Sequence, residues 1–207
     1  MKSAECDWKI GIKTIAAISK RSLAVCALVS ASFIAGSAAT ASEGAFITSI
    51  SASPPPSGAQ NLCRQYNWAC TTKASVSLSH QQEMQIVQRV NRQVNASTRE
   101  VTDQSQYKMR EMWALPTTRG GDCEDFALLK KRDLIKAGID PRKLLIATVL
   151  DTRRNAHAVL IYRSASGDLV LDNLTNRIKP WKATRYLFMR MQDPKQPRRW
   201  VGVYGRS

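Results

Sequence analysis

Three short apolar runs, residues 144–150, 157–162 and 169–174, constrain this chain more than any other feature. Each has the length of a strand, and Ser164-Ala165-Ser166-Gly167 between the last two reads as a turn. If that turn joins antiparallel strands, Arg163 faces Asp168 and paired residue numbers sum to 331. Side chains alternate across a sheet, so Asp172, opposite Val159, shares a face with His157 two positions further along. Such a diagonal spans about 7–8 Å, which long side chains can bridge. An odd loop would put the two on opposite faces. Residues 201–204 read as a further strand closing the sheet.

The helical signals come earlier. In residues 79–96, Ser79 is placed to cap the N-terminus, and Met84, Val87, Val90 and Val94 recur at helical spacing. His80, in the first turn, reads as an exposed residue. Residues 97–112 are polar, with a short helix expected near 107–112. The next helix is expected to begin at Cys123, after a sharp Gly120-Gly121 entry and Asp122 as N-cap, and to end before Gly138 and Pro141. Helices first and an antiparallel sheet later define an α+β domain.

The first 41 residues read as a targeting segment. Lys2, Lys9, Lys13, Lys20 and Arg21 give a basic start, an uncharged stretch runs from 22 to 39, and Ala39-Thr40-Ala41 supplies small residues for cleavage after Ala41. The competing reading is an uncleaved membrane anchor. Residues 42–62 contain Pro54-Pro55-Pro56 and read as a flexible Pro/Ser-rich linker, leaving 63–207 as the folded domain. The whole chain carries 31 basic and 16 acidic residues; losing residues 1–41 removes five and two of these and leaves a net charge of +12. On an exported protein such a charge suits an anionic envelope surface or an acidic substrate. Nucleic-acid binding would require retention in the cytosol, so no nucleic-acid partner is expected.

Cysteine counting points the same way. Cys6 and Cys26 leave with the targeting segment, and three of the five cysteines remain. Cys63 and Cys70 are close enough to bridge locally, which should stabilise by about 2–3 kcal/mol. Cys123 is then left as a thiol. At a helix N-terminus a thiol meets free N–H groups and the positive end of the helix dipole, which favour the thiolate. The Cys123 N–H is also a candidate donor to an oxyanion. His80 and His157 are the only histidines, so the choice of base is narrow. Asp172 would fix the imidazole tautomer. Spacing by itself fits a structural hairpin with a buried aspartate equally well.

The combination of Trp113-Ala-Leu-Pro116, Gly121-Asp-Cys-Glu-Asp-Phe-Ala127, His157-Ala-Val-Leu160 and Leu169-Val-Leu-Asp-Asn-Leu174 resembles the bacterial transglutaminase-like cysteine proteinase family. The resemblance implies a papain-related, transglutaminase-like fold with N-terminal helices packed on the sheet, and a monomeric periplasmic thiol peptidase. Cys123 would be the nucleophile, His157 the base and acid, and Asp172 the orienting carboxylate. Family members cleave a large surface adhesin and are held in check by an inner-membrane receptor sensing cyclic di-GMP. No cofactor is required for the chemistry, but some members depend on calcium. That makes Asp122, Glu124 and Asp125 candidate ligands, against competing roles in capping and dipole pairing. Trp113 could line the cleft or donate to the oxyanion, or simply pack in the core. Asn173 could support the triad or merely close its strand. Two rival readings keep the same residues: acyl transfer to an amine, and a non-catalytic binding module.

Overall fold

The computed structural model describes residues 44–74 and 76–206, so the expected targeting segment lies outside the described residues. Seven strands form one antiparallel sheet: β1 (Ser51–Ser53), β2 (Leu144–Leu150), β3 (Ala156–Ser164), β4 (Gly167–Leu171), β5 (Lys179–Pro180), β6 (Leu187–Gln192) and β7 (Trp200–Arg206). Their spatial order is β1-β7-β6-β2-β3-β4-β5. Among the described residues four α-helices precede β2: α1 (Leu62–Gln65), α2 (His80–Ser97), α3 (Asp103–Tyr107) and α4 (Cys123–Lys136).

Alternation in the central strands splits the apolar side chains into two clusters. Leu144, Ile146, Leu160, Tyr162 and Leu171 belong to the cluster that also holds Val87, Val90 and Val94 of α2 and Phe126, Leu128 and Leu134 of α4. Leu145, Ala147, Val149, Val159, Ile161 and Val170 pack with Phe188 and Met191 in the other. Burying a side chain of this size contributes about 1.5–3 kcal/mol, so each cluster anchors the sheet strongly. Helix α2 starts where expected. Ser79 Oγ accepts the Gln82 N–H at 3.3 Å while Gln82 Oε1 accepts the Ser79 N–H at 2.9 Å, a reciprocal cap.

The hairpin register matches the sequence expectation: Ser164 pairs with Gly167 and Leu160 with Leu171, each pair summing to 331. The ladder ends there, so Asp172 lies just beyond β4 rather than inside it. Cys63 and Cys70 form a disulfide with Cα atoms 5.5 Å apart. The short helix expected near 107–112 falls earlier, at Asp103–Tyr107, because Thr102 accepts the Ser105 N–H and starts it there. The residues expected to form a flexible linker are part of the fold. Ile47 and Leu62 are buried, and β1 pairs with β7 as an edge strand, a place where the following Pro54 costs no ladder bond. Among the described residues no helix is long and apolar enough to cross a membrane.

Candidate active site

Asp172 and His157 meet as the hairpin predicts. Both are buried, and His157 Nε2 lies 2.9 Å from Asp172 Oδ1. Three further donors hold the aspartate. The Tyr186 hydroxyl donates to Oδ2 at 2.7 Å, the Leu174 N–H to Oδ1 at 3.0 Å, and Asn95 Nδ2 on α2 to the Asp172 carbonyl at 2.9 Å. Burial pushes the Asp172 carboxyl up, but the hydrogen bond and charge of His157, with Tyr186 and Leu174, outweigh it and bring the pKa down to about 2. An ionised carboxylate only accepts, so Nε2 carries the proton and Nδ1 is the nitrogen that can take another. The Tyr186 ring stands edge-on to the imidazole, 5.9 Å between centroids.

Cys123 opens α4, as expected, and packs against β3 beside the histidine. Its Sγ accepts the Ala158 N–H at 3.2 Å. The thiol expected from cysteine counting is instead disulfide-bonded in this structure. Sulfur in that state is not nucleophilic, so attack requires the bond to be opened. Two turns on, Lys130 is buried with no hydrogen-bond partner for Nζ. Burial draws its pKa down to about 7, against the opposing charge of Asp172.

A second carboxylate group adjoins the cysteine. Ligand oxygens of Asp103, Asp122 and Glu124 lie within 4.8 Å of one another, and all three residues are buried. Glu124 Oε2 is 3.2 Å from Cys123 Sγ. Backbone bridging creates the group. Gly121 N–H donates to Arg99 O at 3.1 Å and Val101 N–H to Gly121 O at 2.9 Å, which carries Asp103 over to Asp122. Gly120 is required here. Its φ is +124°, and a Cβ would sit 2.0 Å from Arg99 O. Asp122 does not cap α4 as expected; its Oδ2 accepts the Asp103 N–H at 3.1 Å. Burial, then the charge of Asp122, raises Asp103 to about 6 and Asp125 to about 8. Burial also raises Asp122, and raises Glu124 further with help from Asp122, Glu111 and Asp125.

The remaining sequence candidates divide. Asp125 turns away from the cluster: its Oδ1 accepts the Ala114 N–H at 2.9 Å, and Asp103 stands in its place as third acid. Trp113 is core. Its indole N–H donates to Glu111 Oε2 at 3.1 Å, and its ring packs against Trp200. Asn173 Oδ1 is buried without a hydrogen-bond partner, and support for Asp172 comes from Tyr186 and Asn95 instead. His80 is exposed, as expected. Sequence reasoning missed Asp103, Asn95 and Tyr186. A Thr-Asp helix start at 102–103 was the only local signal for any of them.

A cysteine heading the central helix, facing a strand pair that presents a buried histidine–aspartate couple, defines the architecture of transglutaminase-like thiol peptidases. The model of the bacterial transglutaminase-like cysteine proteinase family matches residues 49–207, and the chain belongs to that family. The calcium-bound LapG of Legionella pneumophila shares the fold, with a TM-score of 0.50 and 21% identity over 74% of this chain and 84% of that one. The EGTA-treated form aligns at 27% identity and a TM-score of 0.47, covering 54% of this chain and 63% of the LapG chain. A further LapG structure aligns at 24% identity and a TM-score of 0.47, over 60% and 70% of the two chains. A search of curated proteins finds no match to the sequence.

Proposed function

We propose that this protein is a periplasmic cysteine endopeptidase acting through Cys123, His157 and Asp172. The observation that carries the reading is the buried His157–Asp172 hydrogen bond beside the head of α4, where Cys123 Sγ contacts the residue next to His157. In the reduced protein, His157 Nδ1 takes the thiol proton and the thiolate attacks a peptide carbonyl. The imidazolium then passes that proton to the leaving amine, and water, deprotonated by His157, hydrolyses the thioester. Asp172 keeps Nε2 protonated and stabilises the charged ring.

Calcium fits the acidic group. Asp103 and Asp122 each bury one oxygen with no hydrogen-bond partner, and carboxylate oxygens are hard ligands suited to this ion. Asp103, Asp122 and Glu124 would hold it, and a bound ion would supply positive charge among the three carboxyl groups. A large surface adhesin as substrate and an inner-membrane receptor as regulator follow from the family resemblance, and the basic surface suits an acidic protein partner.

Quantitative proteomics of cell surface and medium, comparing wild type with Cys123→Ala, tests the function. The expected result is one large surface protein retained on mutant cells and shed by wild type. Identical released proteins in the two strains would overturn the reading.

A further inference from the structure

Tyr186 touches both halves of the couple, and nothing in the proposed chemistry has used it. Its hydroxyl donates to Asp172 Oδ2 at 2.7 Å, on the oxygen that His157 does not occupy. Its ring stands perpendicular to the imidazole, at an interplanar angle of 89°. It is held in turn by its own backbone. Arg185 before it adopts a left-handed conformation with φ of 59°, and the Tyr186 N–H donates to Thr184 Oγ1 at 3.2 Å. Thr184 Oγ1 donates to Trp181 O at 2.7 Å, which closes the turn. A non-glycine residue in that region costs about 1–2 kcal/mol, so packing must hold the turn in place.

We infer that Tyr186 is a positioning residue of the proposed triad. Its hydroxyl fixes the rotation of the Asp172 carboxylate so that Oδ1 faces His157 Nε2, and its ring, edge-on to the imidazole, fixes the plane of that ring. The inference rests on the triad reading for its catalytic meaning, but the clamp itself is a property of the ground state. The hydroxyl has a second effect. A hydrogen bond to a carboxylate disperses its charge, so Tyr186 moderates the pull of Asp172 on the imidazolium. The other charged or titratable groups around the couple are Cys123 and Lys130 on α4, Asp151 in the β2–β3 turn, and Arg177 and Lys179, which line a small cavity with Asp172 and Tyr186. None of them donates to Asp172 Oδ2, so none replaces the hydroxyl.

With only two histidines, ring ¹H–¹⁵N correlation spectra of the reduced full-length protein resolve the question directly, and exposed His80 serves as internal reference. Wild type should show His157 in one neutral tautomer, protonated at Nε2. Tyr186→Phe keeps the ring and removes the hydroxyl; the His157 ring resonances should then move, with those of His80 unchanged. Tyr186→Leu should add a mixture of tautomers. Turnover of the shed surface protein should fall about tenfold in Tyr186→Phe and further in Tyr186→Leu, with KM unchanged. A His157 ring spectrum in Tyr186→Phe superposable on wild type would overturn the clamp. If the spectra change as expected while Cys123→Ala leaves shedding intact, the clamp stands and the peptidase reading falls.

Discussion

Asp172 and the Asp103–Asp122–Glu124 group are equally buried, none more than 4% exposed. Yet Asp172 is brought down to about 2, while the group beside Glu124 is raised. Donors make the difference. Asp172 receives an imidazole, a phenol and a backbone N–H. Asp103 receives the Met112 N–H and Asp122 the Asp103 N–H, and each keeps one buried oxygen without a hydrogen-bond partner. A carboxylate inside a protein is therefore settled by the donors its own chain supplies, or it is left to seek protons or a cation. The first arrangement is complete within the chain; the second invites an ion.

The sharpest way to break this contrast is Asp172→Asn. An amide in that place offers N–H as well as oxygen and can trap the wrong imidazole tautomer, so release of the surface protein should drop by about 10²–10⁴. Full activity in that variant would make Asp172 merely another buried acid. The next effect is on stability. Calcium chloride at about one hundred times its dissociation constant should stabilise wild type by about 2.7 kcal/mol, and EGTA should reverse it. A thermal melt reads this as a rise of about 5–10 °C. Asp122→Asn should abolish that gain and, with EGTA present, melt no lower than wild type, since it removes a like charge. A calcium response that survives Asp122→Asn would place the ion elsewhere.

The smallest expected effect concerns acid. Asp172 titrates near 2 in the fold against an ordinary 3.8, so its contribution is fully present above about pH 4 and is lost as pH falls through 2. The group is almost wholly buried, and the gap corresponds to about 2 kcal/mol. Urea melts should therefore show wild type more stable than Asp172→Asn at pH 6, with the two converging near pH 2. Parallel curves over that range would mean that Asp172 gains nothing from His157.

Those contrasts were unequally visible in the sequence. The couple was legible because a hairpin with an even turn ties register to residue number, and Ser164-Ala165-Ser166-Gly167 marked the turn. Helix α4 was legible because a glycine pair and an aspartate precede it, although the aspartate serves the acid cluster rather than the cap. Asp103 was hidden in a polar stretch and reaches Asp122 only through the Arg99–Gly121 backbone bridge. Tyr186 and Asn95 arrive from distant elements, and periodicity says nothing about such meetings. Strand β6 was missed because Leu-Phe-Met-Arg-Met-Gln does not alternate cleanly. Its register slips at a bulge, and Gln192 is wholly buried, donating to Ala69 O and Pro197 O. The prolines after β1 suggested a connector, where a sheet edge accommodates them.

The pairing of β1 with β7 also has a consequence for biogenesis. Ser51 lies opposite Gly202, so one margin of the sheet joins the earliest strand to the latest. Ile47, just upstream, donates its N–H to Asp168 Oδ2 at 2.8 Å, binding the same early segment to the hairpin that leads to Asp172. Closing contacts this distant along a chain is slow, and the margin is not complete until β7 has been made. A polypeptide whose β7 has not yet been made would lack this margin of the sheet.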